Sequence, residues 1–231
     1  CHPSGEKCGL PHELGSTGYG VAIAAAIAIK MKGLDIKQTT VAIEGFGNVG
    51  EFVLRHIVDM GAKVIAVTDS HGGVYDKNGL DEKTLFHLKH QKKSPIEYPG
   101  GTKIETGQIF DLPVDVLVPA AVTDSINDKN KNEIKAKIIV EGSNIPMREY
   151  IEEEFFRKGI LVVPDFVANA GGVISSYAEY RGYSHEKMFK LVEKKIKNAT
   201  TAALKQSLKE NRNPREVAME IAVKNVENKM K

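Results

Sequence analysis

Tryptophan is absent from this sequence, and cysteine occurs only twice, at Cys1 and Cys8. Two thiols cannot build a disulfide framework, so the fold must rest on a buried core. They do not make a metal site either: His2 and His12 lie nearby, but neither a C-x-x-C nor an H-x-x-x-H pair is present. No apolar run reaches the ~20 residues needed to span a bilayer. The longest, Val21 to Ile29, is alanine-rich and short, and no signal-peptide pattern is visible. A cytoplasmic protein without membrane contacts is the expectation. Excess charge of one sign is missing too, with 32 Lys and Arg against 30 Asp and Glu. Nothing global therefore invites nucleic acid. Residues 187 to 231 are locally basic, with 12 against 5. Those charges interleave with apolar residues at helical spacing and have a single aromatic, Phe189, among them, which reads as a solvated helix face. There are no internal repeats and no low-complexity segments.

What is present is ample apolar material, 42% of 231 residues, enough for one large or two small domains. One stretch organises it. Thr40 to Glu44 reads as a strand, and Gly45-Phe46-Gly47-Asn48-Val49-Gly50 as a glycine-rich turn into a helix running to about Met60. In a G-x-G-x-x-G turn the first glycine permits the sharp exit from the strand. The second lets backbone approach a pyrophosphate, and the third lets helix and strand pack closely, with phosphate at the positive end of the helix. Lys63 to Asp69 supplies a second buried strand, completing a βαβ unit. Asp69, 19 positions beyond Gly50, stands where an acidic side chain accepts hydrogen bonds from ribose hydroxyls. It would repel a 2′-phosphate, favouring NAD over NADP, with Ser70 and His71 softening the preference. Asp-Ser-His-Gly-Gly is also a good turn sequence, so Asp69 could serve as a cap.

Ahead of this unit, Ser16 to Lys32 forms a helix that Gly33 stops. Beyond it, residues 72 to 80 read as a short excursion, Asp81 to Gln91 as a helix, and the stretch to Gly107 as a polar connection. Val114 to Pro119 is a further strand, opening into Ala120 and Ala121, whose small side chains leave room for a flat ring at the strand's carboxyl end. Asn127 to Ile134 looks helical. Lys137 to Glu141 and Ile160 to Pro164 are strands flanking a helix over 147–158. After Phe166 only helices are expected, one opening at Asn169 to Tyr177 and the last starting at Asn213-Pro214. Met188, Leu191, Val192, Ile196 and Ala199, then Val217, Ala218, Ile221, Ala222 and Val226, form apolar stripes read as core packing. The fold class is α/β, a Rossmann-like doubly wound, mainly parallel sheet with C-terminal helices. The expected layout is a single NAD(P)-binding domain over 1–231, with its sheet core about 36–165 and its helical part about 166–231.

Five motifs together carry a resemblance that covers nearly the whole chain. Thr17-Gly18-Tyr19-Gly20-Val21, Gly45 to Gly50, Val118-Pro119-Ala120-Ala121, Glu141-Gly142-Ser143-Asn144-Ile145-Pro146 and Ala168-Asn169-Ala170-Gly171-Gly172-Val173 resemble, in order and approximate spacing, the cofactor-binding domain of the glutamate dehydrogenases. The resemblance implies oxidative deamination of L-glutamate to 2-oxoglutarate and ammonia, with hydride passing to NAD or NADP. It implies that Thr17 bonds the nicotinamide carboxamide, that Asn48 and Val49 with Gly45, Gly47 and Gly50 meet the pyrophosphate, and that Ala120 and Ala121 pass beside the adenosine side. Asn144 would lie by the nicotinamide ribose and Asn169 near the ring. Val173 and Ser176 would line the substrate pocket, where the hydroxyl can bond the γ-carboxylate. Asn144 and Asn169 could instead be caps, Ser176 a helix serine adjacent to Ser175, and Gly171-Gly172 a device for close helix approach.

Two departures matter. The family's arginine four positions before the threonine is Glu13 here, so that contact does not carry over. The family's catalytic lysine and aspartate belong to an N-terminal substrate domain that these residues do not match. No catalytic residue is expected in this chain, and a chain starting at cysteine rather than methionine is consistent with something preceding it. The isolated chain is expected to bind cofactor and turn over little glutamate, and the whole enzyme to be a homo-oligomer, a hexamer. Asn48-Val49-Gly50 and Ser176 favour glutamate, while Gly182-Tyr183 ahead of Ser184 has the flavour of leucine or phenylalanine dehydrogenases. A non-enzymatic NAD-binding regulatory module is the alternative from another class. Asn169 and Ser176 discriminate, since on a pocket wall they favour the dehydrogenase and in helix packing the module.

Overall fold

The computed structural model describes residues 15 to 230. Cys1, Cys8, His2, His12 and Glu13 lie outside the described residues. Seven strands form one sheet in the order β4-β3-β2-β1-β5-β6-β7. They are β1 Thr40–Glu44, β2 Lys63–Asp69, β3 Gly72–Tyr75, β4 Thr102–Ile104, β5 Val116–Pro119, β6 Ile138–Val140 and β7 Leu161–Val163. Strands β2, β1, β5, β6 and β7 run parallel, and β3 and β4 extend the β2 edge antiparallel. The chain leaves β1 toward β2 on one side and later returns to β5 on the other. That reversal opens a crevice beyond the carboxyl ends of β1 and β5, where open α/β sheets bind ligands.

The parallel strands are buried on both faces, and their side chains alternate between two cores. Val116 and Val118 of β5, Ile138 and Val140 of β6, and Leu161 and Val163 of β7 join the core beneath helices α1 (Ser16–Met31), α2 (Asn48–Asp59) and the C-terminal helices. Leu117, Ile139 and Val162 point oppositely, into a core completed by Ile109 and Phe110 and by Ile151 and Phe155 of the later helix α4 (Glu149–Arg157). Helix α3 (Glu82–His90) starts at the cap Asp81, whose carboxylate accepts the Thr84 N–H at 2.8 Å. Past β7 come only helices: α5 Asp165–Ala168, α6 Gly171–Tyr180, α7 His185–Glu210 and α8 Pro214–Met230. Among the described residues no helix is long and apolar enough to cross a membrane.

Three expectations need correction. Asn127 to Ile134 is not helical but a series of turns. Asn127 Nδ2 donates to the Asp124 carbonyl (3.0 Å), and Asn130 Nδ2 to that of Ser125 (2.8 Å), while Asn130 Oδ1 accepts the Asn127 N–H (2.8 Å). Such side-chain bonds offer the backbone an alternative to helix. The excursion at 72–80 and the polar connection after it contribute β3 and β4, strands too short and too glycine-rich to announce themselves. The apolar stripes are only partly core: Met188, Val192, Ile196, Val217 and Ala218 are buried, but Ala199 is exposed and Val226 is 58% exposed.

Candidate functional site

The glycine turn sits at the mouth of the crevice, and each glycine meets a different environment. Gly45 has φ +95°, and a Cβ there would lie 2.7 Å from the Ala121 backbone. A Cβ on Gly50 would lie 1.9 Å from the Gly45 carbonyl oxygen, whereas one on Gly47 would meet nothing within 4 Å. Two of these glycines close the turn, and the third leaves space above it. Asn48, Val49 and Gly50 form the first turn of α2, whose amides face that space in the manner of an anion site. The residues thus fit a dinucleotide's pyrophosphate.

From this turn the crevice continues as a pocket of about 500 Å³ lined by Thr17, Val49, Ala120, Ala121, Gly142, Ser143, Asn144, Asn169, Gly172, Val173 and Ser176. Five separated stretches meet here. Thr17 comes from the first turn of α1 and Val49 from α2. Ala120 and Ala121 follow β5, with the Ala120 N–H bonded to the Glu44 carbonyl at 2.7 Å. Ser143 and Asn144 follow β6, and Asn169, Val173 and Ser176 lie at and within the start of α6. Asn169 is the C-cap of α5, its N–H bonded to the Asp165 carbonyl at 2.8 Å, and its Nδ2 also donates to Asn144 Oδ1 at 2.8 Å, so the two asparagines pair at the pocket. Ser176 is exposed on the pocket wall and Ser175 is buried; both hydroxyls donate to the Gly172 carbonyl, at 3.2 and 2.8 Å, so Ser176 is also a bonded helix serine. Gly171 and Gly172 do permit close helix approach, since a Cβ on Gly171 would sit 2.1 Å from the Ser16 carbonyl oxygen. Gly172 also lines the pocket.

None of the pocket's lining residues titrates. The floor beneath carries Glu44, which is buried and receives the Ala121 N–H at 3.3 Å. Burial pushes its carboxyl above the usual range, offset in part by that amide. Sequence reasoning passed over Glu44 because it reads as an ordinary strand end. Gly142 and Ser143 stood inside a quoted motif without being singled out.

Asp69 lies elsewhere, at the end of β2 beside a separate pocket of about 390 Å³ lined by Asp69, His71, Lys89, Lys92, Lys93, Ser94 and Glu97. Its Oδ1 accepts the His71 N–H and the Ser94 hydroxyl, each at 2.8 Å. The capping role is therefore present, and Ser94, 25 residues away, joins it. Ser70 is outside the lining, its hydroxyl 3.3 Å from His71 Nδ1. Lys89 leans over the glycine turn, donating to the Phe46 carbonyl with its ammonium 5.4 Å from the Phe46 ring centroid. Three lysines facing this pocket give it a positive balance that the Asp69 position alone does not suggest. They reach it from the end of α3 and the loop beyond, which no spacing rule ties to Asp69.

Comparison with known proteins shows the family. The family model for Glutamate/Leucine/Phenylalanine/Valine dehydrogenase matches residues 9–231. A glutamate dehydrogenase of Aeropyrum pernix is 41% identical over 98% of this chain and 58% of its own length. An NADP-specific glutamate dehydrogenase of Saccharolobus shibatae is 38% identical over 96% of the chain and 56% of its own. An NAD-specific one of Staphylococcus aureus is 36% identical over 80% and 46%. The crystal structure of the hetero-hexameric glutamate dehydrogenase from Thermus thermophilus in its Leu-bound form superposes with a TM-score of 0.82 at 26% identity, covering 94% of this chain and 55% of that one. The chain thus spans about half the length of the curated relatives it matches. It belongs to the glutamate, leucine, phenylalanine and valine dehydrogenase family.

Proposed function

We propose that this chain is the cofactor-binding part of a glutamate dehydrogenase and that the neutral pocket receives the nicotinamide end of NAD or NADP beside the substrate. One observation carries the reading: Thr17, Asn144, Asn169, Val173 and Ser176, distant in sequence, line one pocket adjoining the glycine turn. A bound nicotinamide would supply hydride acceptance. The chain's own residues bind and orient. The first turn of α2 holds phosphate through backbone amides, and Thr17 and the paired asparagines offer neutral hydrogen bonds to amide and ribose. Ser176 offers a hydroxyl to the substrate's far carboxylate. Proton transfer at the substrate amine requires a titrating group, and the lining has none, so that group comes from outside it. A non-enzymatic module has no use for Val173 and Ser176 on that wall.

A leucine- or phenylalanine-type substrate keeps some support from α6, where Val173, Tyr177 and Tyr180 are 76%, 48% and 69% exposed and form an apolar stripe running away from the pocket. For the whole protein we propose a cytoplasmic oligomer, a hexamer being the form named for the Thermus relative.

For the cofactor we propose use of both NAD and NADP. Asp69 suits ribose hydroxyls, while Lys89, Lys92 and Lys93 suit a 2′-phosphate. Fluorescence titration of the chain with NADH and NADPH tests this. Both should bind, and NADPH should weaken more steeply with added salt because its extra contacts are screened charges. No binding of either would overturn the cofactor reading, and binding of NADH alone would overturn the dual one. Glutamate added with NAD should give little NADH. A kcat on the order of 1 to 10³ per second from this chain would overturn the division of labour.

A further inference from the structure

Behind the Gly142–Asn144 loop lies a buried charge cluster that the pocket chemistry does not use. Arg215, at the start of α8, donates through Nε to Glu152 Oε1 of α4 at 2.7 Å. Its Nη2 donates to Glu141 Oε2 at the end of β6 (3.0 Å) and to Asp165 Oδ1 at the start of α5 (2.9 Å). The guanidinium also lies 5.3 Å from the Phe166 ring centroid. The side chains of Glu141 and Glu152 are 0% and 1% exposed, and that of Arg215 is 14% exposed. Three carboxyl groups therefore share one cation in the interior. Burial and mutual repulsion hold Glu141 well above the ordinary carboxylate range and push Glu152 up to about 7. One oxygen of each, Glu141 Oε1 and Glu152 Oε2, is buried without a hydrogen-bond partner.

Stability is a poor reason for such a cluster, because burying charges costs about as much as their attraction returns. Its connections suggest another. Glu141 immediately precedes the pocket loop, and its Oε2 also accepts the Asp165 N–H at 2.7 Å. Asp165 Oδ2 accepts the N–H of Ile145 at 2.9 Å, directly after Asn144. Ile145 sits at φ +49°, a conformation unfavourable for a β-branched residue that persists only where surroundings enforce it. The loop carrying Asn144 is thus gripped on both sides by groups that Arg215 ties together.

Resting on the cofactor reading above, we propose that Arg215 is a positioning residue for the nicotinamide half of the cofactor: through Glu141 and Asp165 it fixes the backbone that presents Asn144 to Asn169. Arg is suited to this because a planar fork serves several acceptors at fixed angles, which an ammonium does not.

The test compares a ligand reaching both halves of the cleft with one reaching only the glycine turn and the ribose next to it. Calorimetric titration of wild type, R215K and D165N with NADH and with ADP separates the two, and NADH emission reports the nicotinamide environment. R215K should weaken NADH about tenfold or more while ADP stays within about twofold, with loss of the bound-NADH emission change. D165N keeps a carbonyl acceptor for Ile145 and should weaken NADH about threefold, and it provides the measurement if R215K does not melt cooperatively. Variants that keep the wild-type NADH to ADP ratio, whether both affinities fall together or neither moves, would overturn the inference while leaving the cofactor reading intact. A wild type that binds neither ligand would overturn both.

Discussion

The two pockets on either side of the glycine turn keep their charge in different places. At the Asp69 end, Lys92 and Lys93 are exposed and stand directly against the pocket. At the Asn144 end the lining is neutral, and the charges sit one layer back, in the Arg215 cluster. An exposed charge attracts a phosphate from a distance but is screened and tolerant in geometry. A neutral wall on a braced loop attracts nothing from afar but fixes where a ring lies, which hydride transfer requires. On the cofactor reading proposed above, the contrast assigns affinity to one end and orientation to the other.

The glycine turn joins the two, so Gly50→Ala should erase the contrast altogether. Its new Cβ would meet the Gly45 carbonyl oxygen at 1.9 Å, a backbone clash that no side-chain rotation relieves. We expect destabilisation by about 3 kcal/mol and at least hundredfold weaker binding of NADH and ADP alike; calorimetry and titration would show both, and unchanged ADP binding would contradict the role given to the turn.

The charge held behind the neutral end has its own signature in pH. Burial pushes Glu152 up to about 7 from the ordinary 4.5, so the fold favours its protonated form. That contribution is complete below about pH 4.5 and is lost as pH rises through 7. Glu152→Gln keeps an oxygen for Arg215 Nε and cannot ionise. Its melting temperature should exceed that of wild type at pH 8, and the difference should shrink toward pH 4.5, with about 3 kcal/mol as the ceiling. Equal differences at both pH values would show that Glu152 carries no such strain. Glu141, raised by the same cause, leaves some pH dependence in the variant.

The sequence made these two ends unequally legible. The neutral end could be read because its residues sit in short motifs that resemble those of the glutamate dehydrogenases, and it is that resemblance rather than local period that marked them. Thr17, Asn144, Asn169 and Ser176 needed only the right helix or strand beneath them. The ambiguity between Ser175 and Ser176 is a matter of helical phase, which the structure resolves and local sequence does not. The lysine end was illegible because Lys92, Lys93 and Ser94 reach Asp69 across more than 20 residues of helix and loop. The Arg215 cluster was illegible for a stronger reason: Glu141, Glu152, Asp165 and Arg215 lie on four elements and meet only when the sheet and α8 are in place. Strands β3 and β4 were missed because three or four residues hold no period. Asn127 to Ile134 misled because its asparagine side chains bond the backbone in place of a helix's own hydrogen bonds.

A smaller effect would sharpen the lysine end. Removing Lys92 and Lys93 together should weaken NADPH about tenfold at low salt and NADH less than about threefold, since only NADPH carries the extra phosphate. Raising the ionic strength should bring the two proteins together. A parallel loss of NADH would place the lysines on the phosphates shared by both cofactors.

The least perturbing probe acts on the other wall. Asn169→Ala removes one neutral donor, whose net worth is about 1 kcal/mol, and leaves Asn144 Oδ1 without the 2.8 Å bond that now orients it. NADH and NADPH should both weaken about fivefold, with no change in salt dependence, and ADP should be unaffected. The absence of a salt effect is the informative part. If it appears, charge reaches the nicotinamide end after all, and the separation of affinity from orientation fails at the residue where it should be cleanest.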